Sequence, residues 1–269
     1  MENDLVPRAG YKLRTVQAYG INRKITIQNF KNMFKTWRGL GEAKKIVKEI
    51  EPDIVIGTGG YICGGAMLAA VKNKIPTILH ESNAFPGIAV RILARKVDVV
   101  LVGFKEAEER LSKAKKIVVT GNPVSIGERA TAKSSQSSID DSAIVKEDYG
   151  MGNKPTVLAF GGSQGAKSVN ETLIEIISNG MNKEYKLIWA CGPKKYNIIK
   201  RHLSERGINV ERAENAEILP YIYNMEEMMS ACDLVISRSG AMTITEVANY
   251  RKACNICAIS ICNRKPSRV

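Results

Sequence analysis

The chain has 269 residues, 44% hydrophobic and 25% charged, which is enough to bury the cores of two modest domains. Forty Lys and Arg against 27 Asp and Glu leave a formal net charge of +13, which draws anionic lipid, nucleic acid or phosphate-bearing ligands without specifying a fold. No apolar run approaches the roughly 20 residues of a membrane span, and Met1-Glu2-Asn3-Asp4 lacks the basic start and apolar stretch of a signal peptide, so a cytoplasmic protein is expected.

In chain order, the basic excess comes first: eleven basic residues face four acidic ones in the first fifty. There Phe30, Met33, Phe34, Trp37 and Leu40 recur at helical spacing among Lys31, Lys35 and Arg38. This is the pattern of a helix lying at an anionic lipid surface, and equally of a core-facing stripe with solvated flanks. Short Val/Ile/Leu runs then alternate with amphipathic stretches, which predicts strand-helix units around parallel sheets. Strands are expected at Ile54–Ile56, Thr77–Leu79, Val99–Val102, Ile117–Val119, Val157–Phe160, Leu187–Ala190 and Leu234–Ser237.

The first strand runs into Gly57-Thr58-Gly59-Gly60-Tyr61 and an apolar helix over Ala66–Val71. A glycine turn between strand and helix lets a ligand approach free backbone N–H groups, and is also how a tight turn with no ligand is made. Residues 125–150 include the polar, low-complexity run Thr131 to Ser138, which is read as a linker between domains at 1–124 and 151–269. After it the same grammar returns in Phe160-Gly161-Gly162-Ser163-Gln164-Gly165-Ala166, where the Ser163 hydroxyl can bond a phosphate or cap the next helix. Gly-Lys-Ser/Thr is absent, so this is not a Walker A loop. A third turn, Ser237-Arg238-Ser239-Gly240-Ala241-Met242-Thr243, is followed by Glu246, placed early in a helix. An acidic residue in a first helical turn either complements the dipole or accepts hydrogen bonds from a ligand.

Six cysteines form no even framework, and Cys254-x-x-Cys257 has neither a second Cys pair nor more than two His (His80, His202) in the chain to complete a zinc site. No metal and no cofactor are expected. Charge alone suggests nucleic acid, and no recognised motif supports it.

The order of the motifs says more than any one of them. Gly-Thr-Gly-Gly-Tyr61, then Ile75-Pro76 through His80-Glu81-Ser82-Asn83 to Pro86-Gly87, Arg91 to Arg95, Thr120-Gly121-Asn122-Pro123-Val124, the Gly161–Ala166 turn, and Ser237 to Glu246 resemble the MurG family from Leu5 to about Ala253. The resemblance implies the α/β GT-B architecture, two Rossmann-like doubly wound domains facing across a cleft, the first taking acceptor and the second nucleotide sugar. It implies inverting, metal-independent transfer of N-acetylglucosamine from UDP-GlcNAc to the 4-hydroxyl of undecaprenyl-diphospho-N-acetylmuramoyl-pentapeptide, at the cytoplasmic face of the membrane. Ser163 with the N–H groups of Gln164 and Gly165 would hold the diphosphate, and the backbone of Ile222 would meet the uracil. Ala241, Met242 and Thr243 would line nucleotide and sugar, and Glu246 would grip the ribose hydroxyls. Asn83 would face the sugar from the first domain, Thr58, Gly59, Gly60 and Tyr61 would form the acceptor loop, and Phe30, Met33, Phe34 and Trp37 fall where the family has its membrane patch.

Several family features are missing. Ser125 stands where the family has Arg, the His-bearing loop that supplies its candidate general base precedes Met1, and from Arg251 to Val269 the pattern fades without the expected Asn-His-Gln. The catalytic base is therefore unassigned. His80 and Glu81 are the nearest substitutes, and both are equally read as shaping their loop. The chain is expected to be a fragment, exposing strand edges and having little transferase activity. Another lipid-directed UDP-sugar transferase, or a non-catalytic nucleotide-binding or membrane-docking protein, are the alternatives.

Overall fold

The computed structural model describes residues 2–16, 27–60, 62–124, 146–147, 152–162, 166–250 and 253–257, with only the backbone described for 27–38 and 253–257. The chain divides into two compact units, Met1–Asn122 and Pro123–Val269.

The first unit carries α1 (Glu2–Arg8), α2 (Ile27–Ile50), β1 (Val55–Gly57), α3 (Cys63–Lys72), β2 (Thr77–Glu81), α4 (Ile88–Leu93), β3 (Val99–Val102) and β4 (Ile117–Val119). Its strands are parallel and lie side by side in chain order, β1-β2-β3-β4. The core forms where the helices close over the sheet, and Met67, Leu79, Val97, Val100 and Val102 are fully buried in it. Among the described strands β1 pairs with β2 alone, and Ile56 on it is 62% exposed, so one apolar edge is open. Glycines set the close approaches: a Cβ at Gly57 would come within 2.8 Å of Met67 Sδ, and one at Gly65 within 3.0 Å of Ala43 Cβ on α2.

The second unit carries β5 (Thr156–Phe160), α5 (Lys167–Ser178), β6 (Lys186–Ala190), α6 (Pro193–Glu205), β7 (Ala216–Leu219), α7 (Met225–Ala231), β8 (Leu234–Arg238), α8 (Ala241–Asn249) and β9 (Ala253–Cys257). All its strands are parallel, in the order β7-β6-β5-β8-β9. Every residue of β5 is buried, as expected of a central strand covered on both faces. Val169, Leu173, Ile174 and Ile177 of α5 pack at helical spacing against one face with Trp189 and Leu203, while Met228, Met229 and Val247 cover the other with Leu158 and Ile188.

The same clamp closes the lower end of each sheet. Asp98 accepts hydrogen bonds from Thr77 N (3.0 Å) and Thr77 Oγ1 (2.8 Å) and pairs with Lys115, and Asp233 accepts from Thr156 N (2.7 Å) and pairs with Lys146. In both, an Asp just before one strand ties down the first residue of its neighbour.

All seven expected strands are present, each matching or within a residue or two of its predicted ends. Two further strands were not expected. β7 is an edge strand burying only Ile218, and β9 is Ala-Cys-Asn-Ile-Cys, low in the usual strand formers. β9 pairs with β8 over residues 253–257, inside the tail where the family pattern was expected to fade.

Candidate functional site

In the second unit the strand order reverses between β5 and β8, since β6 and β7 lie to one side of β5 and β8 and β9 to the other. The carboxyl ends of two strands that part in this way leave a crevice where an open parallel sheet takes its ligand. β5 ends there in Gly161-Gly162. Gly162 has φ +76, the left-handed region, and a Cβ on it would lie 3.4 Å from Arg238 Nη2, so a side chain would be both strained and crowded. Ser163, Gln164 and Gly165 lie outside the described residues. Helix α5 begins at Lys167 with Ala166 as its N-cap, so no side chain caps it. From the other strand, Gly240 N–H donates to Arg238 O at 2.8 Å and Gly240 caps α8, whose first turn is Ala241, Met242 and Thr243, all half-buried.

Glu246 does not sit in the first turn of α8. The helix starts only at Ala241, so Glu246 is in its second turn, where its carboxylate is too far along to complement the N-terminus. It is half-buried, and that burial pushes its carboxyl above the ordinary 4.5. Glu246 lines a cavity of about 430 Å³ together with Tyr223, Asn224, Glu227 and Tyr250. The volume falls within the range of small-ligand sites. A carboxylate on such a wall can accept hydrogen bonds from two neighbouring hydroxyls. Ile222 is buried in the core beside Leu158 and Met229, while Tyr221 and Tyr223 on either side meet edge to face at 4.8 Å. The buried Ile222 thus anchors the loop that forms one wall. The sequence reading missed Tyr223, Asn224, Glu227 and Tyr250; the polar-aromatic run Tyr221 to Met225, ahead of a short helix, was the available signal.

In the first unit, β2 ends in His80-Glu81 and leads into Ser82-Asn83. Glu81 Oε1 accepts from Asn83 N (2.9 Å) and Asn83 Nδ2 (2.8 Å), and Glu81 Oε2 accepts from Gly87 N (3.2 Å). Both carboxylate oxygens are therefore engaged in shaping the loop. His80 is buried, with Nε2 3.3 Å from Gly121 O and Nδ1 3.4 Å from Ser82 Oγ. A carbonyl only accepts, so Nε2 is the donor to Gly121 O. Asn122 Nδ2 donates to Ser82 O at 3.1 Å, which joins this loop to the Gly121-Asn122 turn. The Thr58-Gly59-Gly60 turn is partly exposed, with φ +85 and +73 at its two glycines, and Cys63 Sγ donates to Gly60 O at 3.4 Å. Tyr61 lies outside the described residues. Phe30, Met33, Phe34 and Trp37 belong to α2 by backbone, and their side chains lie outside the described residues. Leu40, at the end of that stripe, lies over Gly65 of α3.

Two Rossmann-like parallel-sheet domains, the second with a topological switch point, are those of the GT-B fold. The N-terminal domain of glycosyltransferase family 28 matches residues 1–102 and the C-terminal domain of the same family matches residues 156–265, and the chain belongs to that family. It is 39% identical over 252 residues to the UDP-N-acetylglucosamine--N-acetylmuramyl-(pentapeptide) pyrophosphoryl-undecaprenol N-acetylglucosamine transferase of Desulforamulus reducens, and 40% identical over 247 residues to that of Lactococcus lactis. Each alignment covers 92% of this chain and 64% of the relative, so the chain spans under two thirds of their length. Acinetobacter baumannii MurG superposes with a TM-score of 0.54 at 27% identity, over 97% of this chain and 69% of that one. The family match to residue 265 carries the likeness beyond Ala253, through β9.

Proposed function

We propose that the chain transfers N-acetylglucosamine from UDP-GlcNAc to the 4-hydroxyl of undecaprenyl-diphospho-N-acetylmuramoyl-pentapeptide, acting at the cytoplasmic face of the membrane as a peripheral protein. The observation that carries the reading is Glu246, half-buried on a cavity of about 430 Å³ in the unit whose sheet order reverses. Its carboxylate accepts from both ribose hydroxyls, Ile222 meets the uracil through its backbone, and Ala241, Met242 and Thr243 line nucleotide and sugar. Ser163 with the N–H groups of Gln164 and Gly165 holds the diphosphate. In the first unit Asn83, held by Glu81, contacts the sugar, and Thr58, Gly59, Gly60 and Tyr61 take the acceptor.

The reaction is a single inverting displacement. The acceptor oxygen bonds to the anomeric carbon as the bond from that carbon to the diphosphate oxygen breaks, and the acceptor proton passes to a base. Negative charge then grows on UDP, and helix N-termini after the Gly162 and Gly240 turns favour it without needing Asp-x-Asp and a metal. His80 and Glu81 are engaged with their loop, so the base is assigned to neither. Labelled UDP-GlcNAc supplied with a soluble lipid-linked muramyl-pentapeptide and with diacylglycerol, to the chain completed with the flanking segments of a relative, tests the acceptor. Label should enter only the muramyl lipid. Transfer to diacylglycerol would make this a different lipid-directed transferase, and UDP binding with no transfer to either would leave a nucleotide-binding protein.

A further inference from the structure

A second cavity, of about 140 Å³, lies in the first unit between the end of α4 and residues 110–114. Arg91, Arg95, Arg110 and Lys113 line it, with Ser112 among them and no carboxylate on the wall. Arg91 lies in the last turn of α4, and Arg95 follows two residues past its end. Arg110 is already held: its guanidinium lies 4.6 Å from the centre of the Phe85 ring, and Nη1 donates to Glu106 O at 2.9 Å. Among the described residues the ion pairs of this unit are made elsewhere, by Asp98 with Lys115, Glu49 with Arg14 and Asp4 with Arg8. Four like charges around one small cavity repel one another, and an anion seated among them relieves that repulsion.

We propose that this cavity is a phosphate-binding site. Guanidinium forks match two oxygens of a phosphate at once, while Lys113 and the Ser112 hydroxyl supply single donors. At about 140 Å³, a third of the cavity beside Glu246, it takes one compact oxyanion such as the terminal phosphate of a monoester rather than a nucleotide. Phe85, Ile88 and Ile92 are 62%, 59% and 54% exposed in the same stretch of chain, so the phosphate can arrive on an apolar tail as well as free.

The test titrates inorganic phosphate into the whole chain at constant ionic strength set by chloride, and repeats it on Arg95→Lys and on the pair Arg95→Gln with Lys113→Gln. These side chains are exposed, so thermal melting should be unchanged. Saturable binding should weaken about tenfold or more in the double variant, and measurably in Arg95→Lys, which keeps the charge and loses the fork. UDP affinity should stay the same in all three proteins. Phosphatidylcholine vesicles carrying phosphatidate or an equal charge of phosphatidylserine distinguish the sources. Retention on phosphatidate that inorganic phosphate competes away assigns a lipid phosphate, and binding of inorganic phosphate without that preference assigns a soluble one. No saturable phosphate binding by the parent chain, or equal binding by the parent and both variants, overturns the proposal.

Discussion

Glu246 joins the chemistry of the second unit to its packing. Burial raises its carboxyl, so between the ordinary 4.5 and the raised value the folded chain holds a proton that the unfolded chain has released. The native state then binds more protons, and stability falls as pH rises through that window. Nucleotide binding runs the other way, because two ribose hydroxyls donate best to the ionised form. UDP should bind more tightly as pH climbs through the window and should release a proton on binding at its lower end. Calorimetry in two buffers of different ionisation heat measures that proton, which should vanish in Glu246→Gln; the same release from both proteins would assign it to another group. The sequence put Glu246 early in its helix, but the helix begins only at Ala241, after Arg238 closes β8 and Gly240 caps α8, so Glu246 falls in the second turn.

Among the elements, what was legible followed from burial. Central strands such as β5 and β6 are covered on both faces and show as short apolar runs, Val157 to Phe160 and Leu187 to Ala190, whereas β7 and β9 depend on a partner strand more than on their own composition. Helix contacts through glycine were not legible at all. Nothing in the sequence distinguishes Gly64 from Gly65, yet a Cβ at Gly65 would press on Ala43 and Leu40 of α2 at 3.0 and 3.3 Å, while at Gly64 nothing lies within 4 Å. Gly65→Val should therefore cost the first unit about 1–3 kcal/mol through overpacking of α2 against α3. Gly64→Ala, adding a methyl group into open space in a helix, should be neutral or stabilising. Denaturant unfolding followed for both variants checks this, and equal midpoints would mean that α2 does not pack on α3 through Gly65. The His80–Asn83 loop was legible as a motif, but that both oxygens of Glu81 are engaged by Asn83 and Gly87 appears only in the folded chain.

At the scale of the whole molecule, a net charge of +13 and no helix long and apolar enough to cross a membrane among the described residues frame the proposed membrane contact. If α2 supplies it, Phe34→Ser with Trp37→Ser should reduce binding to anionic vesicles while leaving thermal stability unchanged. Lower stability with vesicle binding intact would assign the stripe to the core. Family membership was legible because motifs from both halves stand in one order. The central claim is that the second unit is a UDP-sugar site organised by Glu246. Calorimetric titration of UDP into the chain and into Glu246→Ala tests it most directly. Losing a charge-assisted hydrogen bond should weaken UDP binding by about 1–3 kcal/mol; equal affinity in the two proteins would contradict the account.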